Sequence, residues 1–525
     1  MAAVDSRAPE LTPSEDGEVD FPESGVHQME KGPSVKSKDP IDVAITYTKY
    51  IMSSALTVTY LVYIMWGIWT NEAVLPVPPI AHFLIFCFCM TLVAYLEGLQ
   101  VAILAVEHDD CEVFKQSHPR AYKLMHSVKQ GNNVERFLVG RQFFTIFVMT
   151  LIAQVTTFPG ISQLGIPAAV WFIFIQTGLP GAIVVTTIGS LQPQLLAAKD
   201  PWKFMDLYGA NAVLNLCYAL ETTGICTHFA YMLINILRAT VFRSEIQPRE
   251  HNRGDDLQGK LLDGLKYVLS FCVIGMYITY LMFGIWTGEA VLPVPAPVVF
   301  IIFCLAGLFL AHLEGLQVAI LLAEPKDLEE FKDSHPRGHK LMKRATHEKN
   351  VRRFLIGRQF FVIFVVFLIN QCTIFPDVKM FGVNDVVWFI FFQLGFPTAL
   401  NVLCFFQLPA QLLGNHDPFL FMNRYGPRLT LEVCLFTEMT GLAHFSWVVS
   451  AISRATWFRI PKTQADFSKL EMIENGKKKA APSDIETNHV TDYTTEKDVE
   501  RYTTEEGQLE NHTDLSHALK DEEQL

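Results

Sequence analysis

Ten long apolar runs, each closed by polar or helix-breaking residues, fill the chain between two hydrophilic ends. They cover 51–70, 80–106, 137–158, 164–190 and 209–237, then 268–287, 298–323, 354–375, 383–408 and 429–452. A helix rising ~1.5 Å per residue needs roughly 20 residues to cross ~30 Å of hydrocarbon, so each run predicts a transmembrane helix. Proline supplies the stops. Leu75-Pro76-Val77-Pro78-Pro79 forbids continuation of the first helix. Pro180 cannot donate to the carbonyl of Gln176 and crowds it, which predicts a broken fourth helix. The fold class is therefore all-α, a polytopic membrane protein.

The second five runs repeat the first. Glu97-Gly98-Leu99-Gln100 recurs as Glu314-Gly315-Leu316-Gln317, and Gly140-Arg141-Gln142 as Gly357-Arg358-Gln359, at one offset, since 314 − 97 = 358 − 141 = 217. Five crossings is an odd number, so two such halves are expected to lie antiparallel, as inverted repeats. The charge distribution pulls the other way. Residues 107–141 and 324–358 hold six and ten Lys/Arg, and the positive-inside rule places both stretches on the cytoplasmic face, whereas inversion separates them. The expected organisation is a disordered tail at 1–49, a first repeat at 50–237, a charged linker at 238–266, a second repeat at 267–459 and a disordered polar tail at 460–525. Both tails carry too few large apolar residues to offset the entropy of ordering them.

Composition agrees: half the residues are hydrophobic and only 18% are charged. The net charge of −12 comes largely from tail acids, and no basic, aromatic-interleaved patch suggests nucleic acid. The ten cysteines form no CxxC pair, so neither a disulfide framework nor a metal site is indicated. No nucleophile elbow, HExxH or phosphate-cradling loop points to an enzyme. Asn511-His512-Thr513 fits a glycosylation acceptor, usable only on a luminal tail.

Polar residues kept inside apolar runs carry the chemistry, because a charge in hydrocarbon costs about 2.5–3.5 kcal/mol even on the mildest scale. Glu97 lies roughly 25 Å from one end of its run and about 15 Å from the other, too deep to reach water. Gln100, three residues on, shares its side of the helix, and Gly98 admits another backbone. Glu97, Gln100, Arg141 and Gln142, with Glu314, Gln317, Arg358 and Gln359, are candidates for lining a polar pocket. The plainer alternative is that each Glu and Arg form an inter-helix pair that holds the bundle together, but duplicated glutamines beside each charge exceed what a simple pair needs. Glu221 and Glu438, with Gln176 and Gln393 beside the proline breaks, are ion-binding candidates. Each half counts two deep acids, Glu97 and Glu221, against one base, Arg141. The surplus carboxylate calls for a proton or a bound cation. Ser117-His118-Pro119-Arg120 and its copy could grip phosphate, but an ordinary charged turn accounts for them.

The paired motifs, each split across a hydrophilic loop, resemble those of the silicon transporters of diatoms, choanoflagellates and other silicifying protists, over about residues 47–459. The resemblance implies a ten-helix carrier of silicic acid in a plasma membrane or silica deposition vesicle membrane. It also implies sodium as coupling ion, alternating access, no organic cofactor, and the two motifs as substrate-binding residues. Silicic acid is small, tetrahedral and mostly uncharged at neutral pH; its four hydroxyls each donate and accept, which amide side chains match. A transporter or channel for another small neutral hydroxylated solute such as borate remains the alternative.

Overall fold

The computed structural model describes residues 40–107, 109–161, 165–237, 239–240, 257–323, 328–347, 349–456 and 458. The long tails, the middle of the linker and Asn511 lie outside them. Within the described part of the tail and linker calls, helix replaces the expected disorder at 40–49 and the expected linker at 257–266.

The first half consists of α1 (Pro40–Trp69), α2 (Pro79–Ala105), α3 (Pro119–Val128), α4 (Asn133–Thr156), α5 (Leu179–Lys199), α6 (Ala210–Thr222) and α7 (Ile225–Leu237). The second repeats it as α8 (Leu257–Thr287), α9 (Ala296–Ala323), α10 (Pro336–Ala345), α11 (Asn350–Thr373), α12 (Asp385–His416), α13 (Pro427–Thr440) and α14 (Phe445–Thr456). All regular structure among the described residues is helical.

Among those residues eight helices are long and apolar enough to cross a membrane, rather than ten. The difference lies in the fifth run of each half. It breaks into α6 and α7 at Gly224, where φ is +71°, and into α13 and α14 at Gly441, where φ is +81°. Only glycine adopts such angles freely. At ~1.5 Å per residue each piece is about 20 Å long, short of the hydrocarbon thickness.

The halves run parallel, and this corrects the inverted arrangement. Thr157, at the C-terminal end of α4, accepts a hydrogen bond at 2.6 Å from Gln371, two residues before the end of α11. At the opposite ends of the same helices Gln142 and Gln359 both enter one polar network. Equivalent levels therefore meet, which requires a pseudo-twofold axis along the helices. Four long helices per half return the chain to the face where it began, as parallel halves demand. The two basic stretches then share one face, and the conflict with the positive-inside rule disappears.

The hydrophilic loop at 107–135 contains α3, whose buried Ala121, Leu124, Met125 and Val128 follow the i, i+3, i+4, i+7 pattern of an amphipathic helix. Asp206 Oδ1 accepts from the backbone N–H of Arg120 at 2.8 Å and of Ala121 at 3.2 Å, capping α3 from a distance. Asn423 does the same for Arg337 and Gly338 on α10. The Ser-His-Pro-Arg loops are thus occupied as helix starts, and Arg120 stacks on the Tyr208 ring. Just before α3, the Tyr122 hydroxyl, donating to Glu112, and then Lys115 hold the exposed Glu112 carboxyl below its ordinary range. Trp69 and Trp286 end α1 and α8 with exposed rings, as interfacial anchors do.

The halves are also laced at their edges. The Ser53 hydroxyl of α1 donates to the Leu442 carbonyl, and Ser270 of α8 donates to that of Ile225, so each first helix holds the fifth-run break of the other half.

The parallel arrangement is checked by glycosylation mapping. An acceptor inserted beside Ser117 and another beside Ser334 should share one fate, both unmodified; modification of only one would restore the inverted topology.

Candidate functional site

Where α2, α4 and α5 meet, Glu97 is 3% exposed and holds an ion pair with Arg141 at 2.9 Å. Its second carboxylate oxygen accepts from Gln194 at 2.6 Å, Ser190 at 3.4 Å and Gln359 at 3.3 Å. The second half builds the counterpart: Arg358 pairs with Glu314 at 3.0 Å, and Gln411 donates to Glu314 at 2.6 Å.

The motif glutamines join the clusters by crossing between halves. Gln359 takes a hydrogen bond from Arg358 at 2.9 Å on its oxygen and donates its amide to Ser190 at 2.7 Å and to Glu97. Gln142 donates to Gln411 at 2.5 Å, and Gln411 in turn holds Glu314. Each half's carboxylate is thus reached by the other half's Gly-Arg-Gln motif, directly in one case and through a second glutamine in the other. These residues are inter-helix pairs, and Gln359 and Gln142 join the pairs of the two halves into one network.

Glycine makes the approach possible. A Cβ on Gly140 would sit 2.2 Å from the Cys217 carbonyl oxygen, and one on Gly357 2.0 Å from that of Cys434, so α4 and α11 touch α6 and α13 backbone to backbone. Gly98 has a different neighbour from the expected backbone: the Phe204 ring, 2.1 Å from where a Cβ would lie. Gly315 meets both the Phe421 ring and the Ala410 carbonyl.

Gln100 and Gln317 are half-buried and take no part in the network. Three residues turn a helix by about 300°, so they point some 60° away from Glu97 and Glu314 and a turn further along. Their expected place beside the carboxylates is taken by Gln194 and Gln411, themselves 217 residues apart. The repeat alignment would have shown that pair. It escaped because the fourth runs were closed on hydropathy at 190 and 408, before the helices end.

The surplus acid disappears in the same way. Glu221 pairs with Arg136 at 2.7 Å, and Glu438 with Arg353 at 2.7 Å. Arg136 stands one residue before the apolar run at 137–158 and was counted with the loop, yet α4 begins at Asn133. Each half therefore matches two acids with two arginines. Glu221 also lies in the last turn of α6 rather than at mid-helix.

The helix breaks fall at Gly178 and Gly395, with φ of +84° and +95°, two residues before Pro180 and Pro397. Gln176 and Gln393 precede these breaks, and Gln393 reaches the Pro376 carbonyl at 3.5 Å. They stand far from the carboxylates, at the end of the bundle where α4 and α11 finish. His228 bonds the Gly224 carbonyl of its own helix at 2.8 Å and meets the Tyr267 ring edge-on.

Four buried polar atoms of the central network have no partner: Nε of Arg141, Nε of Arg358, Oε1 of Gln142 and Oε1 of Gln194. Two donors and two acceptors are thus left over among the buried atoms of the two linked clusters. An anion would match only the donors. A neutral group that both donates and accepts matches all four.

The ion pair can be tested alone. Arg141→Met strands the Glu97 carboxylate and should lower stability by about 3–5 kcal/mol, while adding Glu97→Gln should restore most of the loss. Heat resistance of the detergent-solubilised protein reads both, and an Arg141→Met protein as stable as the parent would refute the pairing.

A family model described as Silicon transporter matches the chain over residues 42–288 and 258–457. No curated protein and no solved structure matches it.

Proposed function

The chain belongs to the silicon transporter family, and from that premise we propose that it carries silicic acid across a membrane in symport with sodium, by alternating access around the crossed glutamine–carboxylate network. Membership makes it an integral membrane transporter of silicon compounds and not an enzyme. The observation that carries the finer reading is the set of orphan atoms on Arg141, Arg358, Gln142 and Gln194. A tetrahedral solute with four hydroxyls can supply acceptors to the two guanidinium N–H groups and donors to the two amide oxygens.

In the closed arrangement every carboxylate of the centre is neutralised by arginine, so no ion is required. Admitting a solute between Arg141 and Glu97 loosens that pair, and a bare carboxylate in a dry bundle needs a replacement cation. Sodium fills that role, which ties its binding to that of the solute. Glu97 and Glu314, Arg141 and Arg358, and Gln142 and Gln359 form the substrate and ion centre in this reading. Gln194 and Gln411 complete it, and Gln100 and Gln317 stand beside it. Glu221 and Glu438, paired with arginine, serve as structural locks at the ends of α6 and α13. The face bearing α3 and α10 is cytoplasmic, since it gathers the basic residues. The host membrane is the plasma membrane or that of a silica-depositing vesicle.

Purified protein in liposomes decides the matter. Silicic acid uptake should need external sodium, fall at least tenfold in choline, and fall similarly for Glu97→Gln and Glu314→Gln proteins that still resist heat as the parent does. Uptake indifferent to sodium would remove the coupling. Uptake indifferent to both substitutions would remove the centre, and equal transport of boric acid would replace the substrate.

A further inference from the structure

At the end of the bundle opposite α3 and α10 lies a cavity of about 180 Å³. Its wall comes from both halves: the Val74-Leu75-Pro76 turn and Gln154 from the first, and Tyr280, Thr373, Ile374, Gln393 and Thr398 from the second. Gln154 is 3% exposed, lines this space, and makes no hydrogen bond to any described residue. Tyr280, 2% exposed, likewise brings a hydroxyl without a partner among the described residues. Thr373 donates to the Ile369 carbonyl at 2.9 Å and Thr398 donates to Thr373 at 2.8 Å, which commits both hydroxyl hydrogens and leaves acceptor lone pairs on the cavity lining. Along α4, Gln154 is 154 − 141 = 13 residues from Arg141, about 20 Å, so the cavity is separate from the central network. Phe147 and Phe396, with rings 4.4 Å apart, pack at intermediate levels between them.

The pseudo-twofold axis generates a twin of this place in the first half, and two sequence differences set it apart. Gln371, the counterpart of Gln154, donates to the Thr157 hydroxyl at 2.6 Å, whereas the counterpart of Thr157 is Ile374, which offers no hydroxyl. The Phe367 ring packs against Gly178 and Gly181, while its counterpart, facing Gly395, is the smaller Thr150. One amide is therefore tied down beside a bulky ring, and the other is left free beside a small side chain.

We propose that this cavity is a loading vestibule for a small neutral polyhydroxylated solute, built on one side of the axis only, with Gln154 as its chief recognition group. The assignment rests on the transport reading above for the class of solute. Amide, hydroxyl and phenol groups together give donors and acceptors without a buried charge, aromatic and proline side chains bound the space, and the acid of the lining, Asp377, is exposed. The solute waits here, some 20 Å from the carboxylates along the α4 axis, until the Phe147–Phe396 contact parts.

The vestibule is tested by the Michaelis constant for silicic acid uptake into sodium-loaded gradients. Ile374→Thr gives Gln154 the partner that Gln371 already has, and Gln154→Ala deletes the amide. Each should raise KM at least fivefold with kcat within twofold, whereas the twin changes Thr157→Val and Gln371→Ala should leave KM within twofold. If the Ile374→Thr protein fails to fold, Gln154→Ala against Gln371→Ala decides alone. An unchanged KM, or equal shifts on both sides of the axis, overturns the vestibule while leaving transport intact. A parent protein that moves no silicic acid under any sodium condition fails the earlier reading instead.

Discussion

Two carboxylates sealed inside an apolar bundle dictate what surrounds them. Desolvating Glu97 and Glu314 costs several kcal/mol each, and a single arginine repays that only if the remaining lone pairs are also satisfied. Here each carboxylate takes one oxygen to arginine and the other to a glutamine amide. Because Gln359 and Gln142 come from the opposite half, neither half can satisfy its own centre fully when pulled away from the other. The network is therefore a clamp that fixes how the halves sit.

A twofold axis along the helices has a consequence for mechanism. Inverted halves can exchange conformations and so turn an outward-open carrier into an inward-open one, with the two states related by symmetry. Parallel halves cannot, since exchanging them returns the same face. In the alternating-access reading proposed above, access would instead have to differ between the two ends of each half. The ends do differ: at one, glycine breaks at Gly178 and Gly395 sit against α11 and α4; at the other, Gly224 and Gly441 break the fifth run against Lys266 and Lys49. Each end has its own pair of glycine breaks, and the ion-pair network lies between.

Much of this was legible from the order of residues. The apolar runs located the long helices, and a fixed offset of 217 pointed to the motif acids, bases and glutamines that meet. What hydropathy could not supply was where helices continue past the apolar stretch. Arg136, Gln194 and Gln411 all sit just outside a run, are helical nonetheless, and complete the charge and hydrogen-bond count. The same blindness joined α6 to α7, because Thr223 and Gly224 are mild enough to pass within an apolar window although a left-handed glycine ends the helix. Counting one crossing there made five, and five forced the inversion. The basic loops held the contrary evidence, since charge bias reports the side of the membrane without needing helix boundaries.

Divergence between the halves follows depth. Around the carboxylates the twins keep the same Glu, Arg and Gln at all but one of the positions that bear on the buried charge, because losing one partner strands another. One departure there is Ser190 against Gln407, at a site where either side chain can accept a hydrogen bond. Toward the other end no buried charge among the described residues enforces identity, and Thr157 is matched by Ile374, Thr150 by Phe367, and Gly181 by Thr398. Each exchange alters local volume or one hydrogen bond, changes worth about 1–3 kcal/mol that a bundle of this size can absorb. The symmetric core is thus what the electrostatics cannot release, and the two halves differ where no buried charge among the described residues constrains them.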